Sequence, residues 1–223
     1  MRRLLSLLRS KRIRTLSSRE AYARWAADYP PIPHNRFMEL EQATLLEMMP
    51  PLAGKRVLDL ACGSGRWGRL ALEQGARQVI SLDDSRPMLE RGQPPLAIEG
   101  SMAAIPLAEA CVEVVICGLA VGHLPPSAMQ RTFSEIGRVL LPGGVALLSD
   151  VHPLVMWTGG RRTFQSQGQT YAVEHYIHSY ADYHTAAQAC GLRVTVVKEV
   201  AAQAGQMPVL LAMRLEKSLN GAA

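Results

Sequence analysis

At 223 residues, 48% of them hydrophobic, with a mean hydropathy of +0.03, the chain is suited to one well-buried soluble domain with extensions and is too short for two full domains. Its four cysteines (Cys62, Cys111, Cys117, Cys190) show neither C-x-x-C nor metal-ligand spacing and no apolar run approaches a membrane span, so we expect reduced thiols, no metal and a cytoplasmic setting. The net charge of +5 resides in residues 1–19, which hold seven Arg/Lys and no acid, while the remaining 17 basic and 19 acidic residues leave a near-neutral body that argues against nucleic-acid binding.

Residues 1–17 read as a basic N-terminal extension in which Leu4, Leu5, Leu7, Leu8, Ile13 and Leu16 are mixed with positive charges. That mixture fits a membrane-surface helix, a transit-type presequence or a solvated extension. Arg9, Lys11 and Arg12 interrupt the apolar core that a secretory signal needs. From Ser18, "SREAYARWAADY" brings Tyr22, Trp25, Ala26 and Tyr29 to one face of a capped helix. "PPIPHN" breaks it, and "RFMELEQATLLEMM" predicts a second helix up to Pro50-Pro51.

Strands and helices then alternate. Residues 57–61 form a short apolar strand containing one acid, Asp59, and residues 66–74 a helix closed by Gly75. "QVISLD" is a strand ending in Asp83-Asp84, and "SRPMLERG" a short helix. Residues 112–121 begin as a buried strand; "PSAMQRTFSEIGRVL" is a helix, "LPGG" a turn and "VALLSDV" another strand. The irregular stretch 153–178 holds a hairpin around "QSQGQTY", and "SYADYHTAAQAC" is a capped helix ending at Gly191. The β-like runs "RVTVVKEV" and "PVLLAMRL" finish the chain, joined by a loop that suits an antiparallel pair and is too short for a parallel crossover. Alternation with near-continuous apolar strands implies a parallel sheet covered on both faces, with its ligand at the carboxyl ends of the strands.

The first strand runs into "VLDLACGSGRWG", a G-x-G-x-x-G made by Gly63, Gly65 and Gly68. That spelling suits a dinucleotide, yet Asp59 stands four residues ahead of the first glycine and would repel a pyrophosphate. A carboxylate there favours a cationic ligand such as S-adenosylmethionine, which has an ammonium, a sulfonium and no phosphate. Asp83, at the end of the second strand, has the spacing of an acid that accepts both hydroxyls of a ribose.

Together "VLDLACGSG", "ISLDDSRPML", "VEVVICGLAVGHL" and "EIGRVLLPGG" resemble the class I S-adenosylmethionine-dependent methyltransferases, in particular their small-molecule branch. Malonyl-carrier-protein O-methyltransferases and quinone methyltransferases belong to that broad group. The resemblance spans roughly residues 20–150, and "AYARWAADY" is similar to the branch's Y-x-x-W-A-x-x-Y opening helix. It implies an α/β, Rossmann-like doubly wound sheet of seven strands, mostly parallel with an antiparallel last strand, in a single methyltransferase domain over 18–217. The segment 153–180 would be an inserted lid over the acceptor, and 218–223 a C-terminal tail.

Carried over residue by residue, the resemblance implies that Asp59, Ala61, Cys62, Gly63, Ser64 and Gly65 hold the methionine portion of S-adenosylmethionine and that Asp83 binds its ribose. Asp84 and Met88 would border ribose and adenine, and Cys117 to Leu119 the sulfonium. Ser101, followed by Met102, stands where the family often has an acid that reads adenine; a single histidine, His123, stands where "L-x-H-H-L" carries two. His123 and His152 are candidate general bases, with packed loop positions as the plainer alternative. Tyr22, Tyr29, Tyr171 and Tyr176, with the same two histidines, are candidates for the acceptor pocket; His175, His178 and Tyr180 accompany them in the inserted segment. Arg161-Arg162 suit an anionic acceptor or a solvated loop. The expected activity is methyl transfer to a small molecule, oxygen favoured and carbon or nitrogen open, by a monomer or homodimer with weak membrane contact through its basic end. A methyltransferase-like binding protein without turnover and an NAD-dependent oxidoreductase are the alternatives.

Overall fold

The computed structural model describes residues 13–219. In chain order the elements are β1 (Arg14–Leu16), α1 (Ser18–Trp25), α2 (Arg36–Met48), β2 (Arg56–Leu60), α3 (Arg66–Glu73), β3 (Gln78–Asp83), α4 (Arg86–Gly92), β4 (Ala97–Glu99) and β5 (Val112–Gly118). There follow α5 (Pro126–Val139), β6 (Leu140–Val151), α6 (Pro153–Trp157), β7 (Thr163–Ser166), β8 (Gln169–Val173), α7 (Tyr180–Gln188), β9 (Leu192–Ala201) and β10 (Pro208–Lys217). Helix starts follow from side chains that accept otherwise unpaired amides: Ser17 from Glu20, Asn35 from Met38, and a reciprocal capping box between Ser179 and Asp182.

The seven-stranded sheet has the order β4-β3-β2-β5-β6-β10-β9. β10 runs antiparallel to both neighbours and the remaining pairs are parallel. The central strands are mostly apolar because successive residues enter different cores. Leu58, Val115 and Leu148 face α5 and α7 with Phe133, Ile136 and Tyr183; Val57, Val114 and Leu147 face α2 and α3 with Leu45 and Trp67. β4 has no apolar run of its own and borrows its conformation from pairing with β3. No helix among the described residues is long and apolar enough to cross a membrane.

A second sheet, β1-β8-β7, lies outside the first. Its hairpin turns at Gln167 and Gly168, whose positive φ values of 51° and 71° match the twist of a two-residue hairpin. Here the N-terminal boundary differs from expectation. Residues 1–12 and 220–223, which hold most of the basic extension and of the C-terminal tail, lie outside the described residues. Arg14–Leu16, however, pair with Tyr171, Ala172 and Val173, and Leu16 is buried with Ala21, Phe164 and Val173. The reason is that Leu16 has an apolar cluster to join, supplied by a hairpin 150 or so residues away (a separation of order seen in the 146-residue Arg161–Thr15 hydrogen bond). The opening helix is also shorter than its apolar face suggests: α1 stops at Trp25 and tightens into a 3-10 turn over Ala26–Asp28 before Pro30.

Candidate functional site

At the end of β2 the chain turns through Ala61 (φ 55°) and Gly63 (φ 56°), and Gly65 (φ 81°) starts α3. Asp83, at the end of β3, holds this turn: its Oδ2 accepts Gly63 N–H at 2.7 Å and its Oδ1 accepts Ser85 N–H at 2.8 Å. Burial pushes the Asp83 carboxyl up to about 6, against the opposing pull of those two amides. One carboxylate thus fixes two adjacent loops while retaining a further lone pair on each oxygen.

Asp59 does something else. It is 1% exposed, and its Oδ2 accepts Gly68 N–H at 2.7 Å, tying α3 to β2. A Cβ on Gly68 would lie 3.2 Å from that oxygen and 3.2 Å from Val79 Cγ1, so the third glycine exists for close helix–strand packing. Asp59 therefore does not line the cavity, and the expectation that it faces the ligand is corrected: the amide of Gly68 turns it under the helix.

A cavity of about 460 Å³ opens where β2, β3 and β5 end, roofed by α1 and the outer sheet. The expected Ala61, Cys62, Gly63 and Ser64 line it, as do Asp83, Asp84 and Met88. Ser101, Met102 and Leu119 line it as well. Tyr22, Tyr29 and His123 line it too, the first and last joined through Arg162. Gly65 and Cys117 do not reach it: a Cβ on Gly65 would meet Pro94 Cβ at 2.5 Å, and Cys117 is wholly buried in the core. Tyr171 is drawn away by stacking on Phe164 at 5.6 Å and by donating its hydroxyl to Gln169, and Tyr176 meets the loop through its backbone, donating to Gly122 O.

His152 is a structural residue. Its Nδ1 accepts Leu154 N–H at 3.2 Å, capping α6, so Nε2 carries the proton and donates to Glu199 at 2.9 Å. It is outside the cavity lining, which removes it as base and as acceptor contact. His123 lines the cavity, but both ring nitrogens are committed. Nδ1 donates to Glu174 O at 2.8 Å, leaving Nε2 to accept from Arg162 Nη1 at 2.9 Å, with Tyr22 Oη 3.2 Å away. Burial, then the Arg162 charge, hold His123 well below its ordinary pKa, so it stays neutral. Burial raises the Tyr22 phenol too, and it stays protonated.

A second network escaped sequence reasoning. Glu41 is fully buried on α2; its Oε2 accepts from Arg66 at 2.6 Å and its Oε1 from Ser149 Oγ at 2.8 Å. The available signal was an acid at the apolar spacing of Met38, Leu45 and Met48. Gly118, ending β5, faces this network: a Cβ there would lie 2.6 Å from Trp67 Nε1 and 2.8 Å from Glu41 Oε1. Trp67 Nε1 has no partner among the described residues, an unpaired donor on a residue of the cavity wall.

Residues 57–144 match a family described as a methyltransferase domain. The chain is 35% identical over 133 residues to the malonyl-[acyl-carrier protein] O-methyltransferase of Pectobacterium atrosepticum, covering 56% of this chain and 49% of that protein. It is 32% identical over 127 residues to the demethylmenaquinone methyltransferase of Lactococcus lactis, covering 52% and 50%. The chain spans about half the length of the curated relatives it matches. In fold it is similar to a S-adenosylmethionine dependent methyltransferase from Mesorhizobium loti, with a TM-score of 0.68 at 21% identity, covering 82% of this chain and 100% of that one.

Proposed function

Since the chain carries a class I S-adenosylmethionine-dependent methyltransferase domain, we propose that it moves the methyl of that cofactor to a small-molecule acceptor, with an oxygen as the favoured acceptor atom. The observation that carries this reading is the cavity at the ends of β2, β3 and β5, where Asp83 is fixed beside the bare backbone of Gly63.

The donor set suits the cofactor. Asp83 has oxygen lone pairs left for a ribose diol, and Gly63 presents backbone without a side chain to the cavity. Trp67 Nε1 is an unpaired buried donor for a polar atom at that wall. Met88 and Met102 offer an apolar surface for a base. Tyr22 and Tyr29 present rings to the cavity, and an aromatic face near a cation contributes on the order of 1 kcal/mol. When bound, S-adenosylmethionine supplies a methyl on positively charged sulfur that is open to in-line displacement.

The chain's own residues then orient the reactants and exclude water, which lowers a displacement barrier by several kcal/mol. α1 and the outer sheet form the roof that does this. The occupied Nε2 of His123 disfavours it as a general base, since taking a proton would require Arg162 to leave. The site therefore suits an acceptor whose oxygen is already ionised at neutral pH. The strand order supports a methyltransferase over the nicotinamide alternative, because antiparallel β10 stands between β6 and β9 where a dinucleotide fold continues in parallel.

Calorimetry tests the reading. S-adenosylmethionine and S-adenosylhomocysteine should bind at one site per chain and NAD should not; tight NAD binding with no response to either sulfur ligand would overturn it. Release of S-adenosylhomocysteine on addition of acceptors then reports turnover.

A further inference from the structure

Arg162 lines the cavity, immediately before β7, with its backbone carbonyl accepting Val173 N–H at 2.9 Å. The hairpin thus holds the residue in place. Its guanidinium has five N–H donors. Nη1 donates to Leu119 O at 2.8 Å and to His123 Nε2 at 2.9 Å, and Nη2 donates to Tyr22 Oη at 3.0 Å. All three acceptors are neutral: a carbonyl, an imidazole and a phenol. No carboxylate among the described residues pairs with this cation, whereas the other half-buried arginine of the cavity wall, Arg66, is matched by Glu41 at 2.6 Å.

Two donors remain, Nε–H and one hydrogen on Nη2, which is the number a carboxylate takes in a bidentate pair. The nearby acids are committed elsewhere. Asp150 accepts from the amides of Gly122 and Val151, and Asp83 accepts from Gly63 and Ser85. A guanidinium half-withdrawn from water beside a mostly aromatic wall, and held by neutral groups only, lacks its counter-charge. The contact with Leu119 O places it next to the end of β5.

We propose that Arg162 is a specificity residue that takes the carboxylate of an organic-anion acceptor, with Tyr22, His123 and Leu119 O fixing the fork. This rests on the methyltransferase reading of the cavity. The same chemistry is also present in the methionyl carboxylate of the cofactor, so the test separates the two sources. His123 and Tyr22 are, in this arrangement, positioning residues for the arginine.

The experiment titrates benzoate and hexanoate, with their neutral isosteres benzamide and hexanamide, into the full-length protein saturated with S-adenosylhomocysteine. The native protein should bind the acids at least about tenfold more tightly than the amides, as a charged bidentate pair requires. Arg162→Met should abolish that preference while S-adenosylhomocysteine affinity stays within roughly threefold of native, and Arg162→Lys should retain part of it. Equal binding of acids and amides by the native protein would overturn the proposal, whether or not the variants fold. So would an Arg162→Met protein that keeps the acid preference and loses S-adenosylhomocysteine binding, since the arginine would then serve the cofactor. If S-adenosylhomocysteine does not bind the native protein at all, the methyltransferase reading falls, and the same titration of the ligand-free protein still decides whether Arg162 receives a carboxylate.

Discussion

Replacing Asp59 by Asn distinguishes a helix anchor from a ligand contact. Burial outweighs the Gly68 hydrogen bond and the fields of Arg66 and Arg69, and raises the Asp59 carboxyl from 3.8 to about 7. A carboxyl with a folded pKa above its unfolded one binds its proton more tightly in the folded protein. Stability is then highest below the unfolded pKa and declines as pH rises towards the folded one, with no further loss beyond it. At about 1.36 kcal/mol per pH unit, the shift corresponds to a loss of roughly 1 kcal/mol near pH 4.5 and roughly 4 kcal/mol near pH 7.5. Asn keeps an amide oxygen for Gly68 and never ionises. Asp59→Asn should therefore be more stable than the native protein near pH 7.5, by up to ~4 kcal/mol or about 8–16 °C in Tm, without added ligand. Near pH 4.5 the advantage should shrink to ~1 kcal/mol. Thermal unfolding followed by circular dichroism across that range reads the difference directly. A variant no more stable than native near neutral pH, or a difference that ignores pH, would refute the reasoning and show that the carboxylate has a counter-charge strong enough to keep it ionised.

Three further outcomes follow from the site. Asp83→Asn should weaken S-adenosylhomocysteine binding by roughly 1.5–3 kcal/mol in calorimetry, and an unchanged affinity in a folded variant would mean the ribose lies elsewhere. Leu16→Ala removes a buried contact between β1 and the hairpin and should lower stability by about 2–4 kcal/mol; an unaltered Tm would detach β1 from the fold. His152→Ala should lose about 1 kcal/mol with the α6 cap while turnover per folded molecule stays constant, and a large fall in kcat at unchanged Tm would restore His152 to the chemistry.

What could be read from the sequence was local along the chain. Near-continuous apolar strands announced a two-faced sheet because neighbouring residues of one strand must enter different cores, as Val57 and Leu58 do. The glycine spacing announced the turn, since Gly63 and Gly65 have positive φ that other residues adopt at a cost. Asp83 was found because the end of a strand beside that turn is a fixed place in any such sheet. β4 was missed for the converse reason: three residues carry no periodicity, and only pairing with β3 makes them a strand.

Which way a side chain points was decided by partners that the local sequence does not contain. Asp59 faces Gly68 and not the ligand because α3 packs close enough to offer its amide. His152 and Glu199 meet only because β10 pairs with both β6 and β9 and so links the two, and Glu41 reaches Ser149 across 108 residues. The Arg162 cluster joins Tyr22 and His123 across separations of 140 and 39 residues, which no helical or strand period encodes. Periodicity and turn chemistry are properties of a few consecutive residues, and so they determined the elements and the glycine loop. The pairing of charges and hydrogen bonds depends on which surfaces end up buried together, and that was settled only when the sheet closed and the outer hairpin packed over its edge.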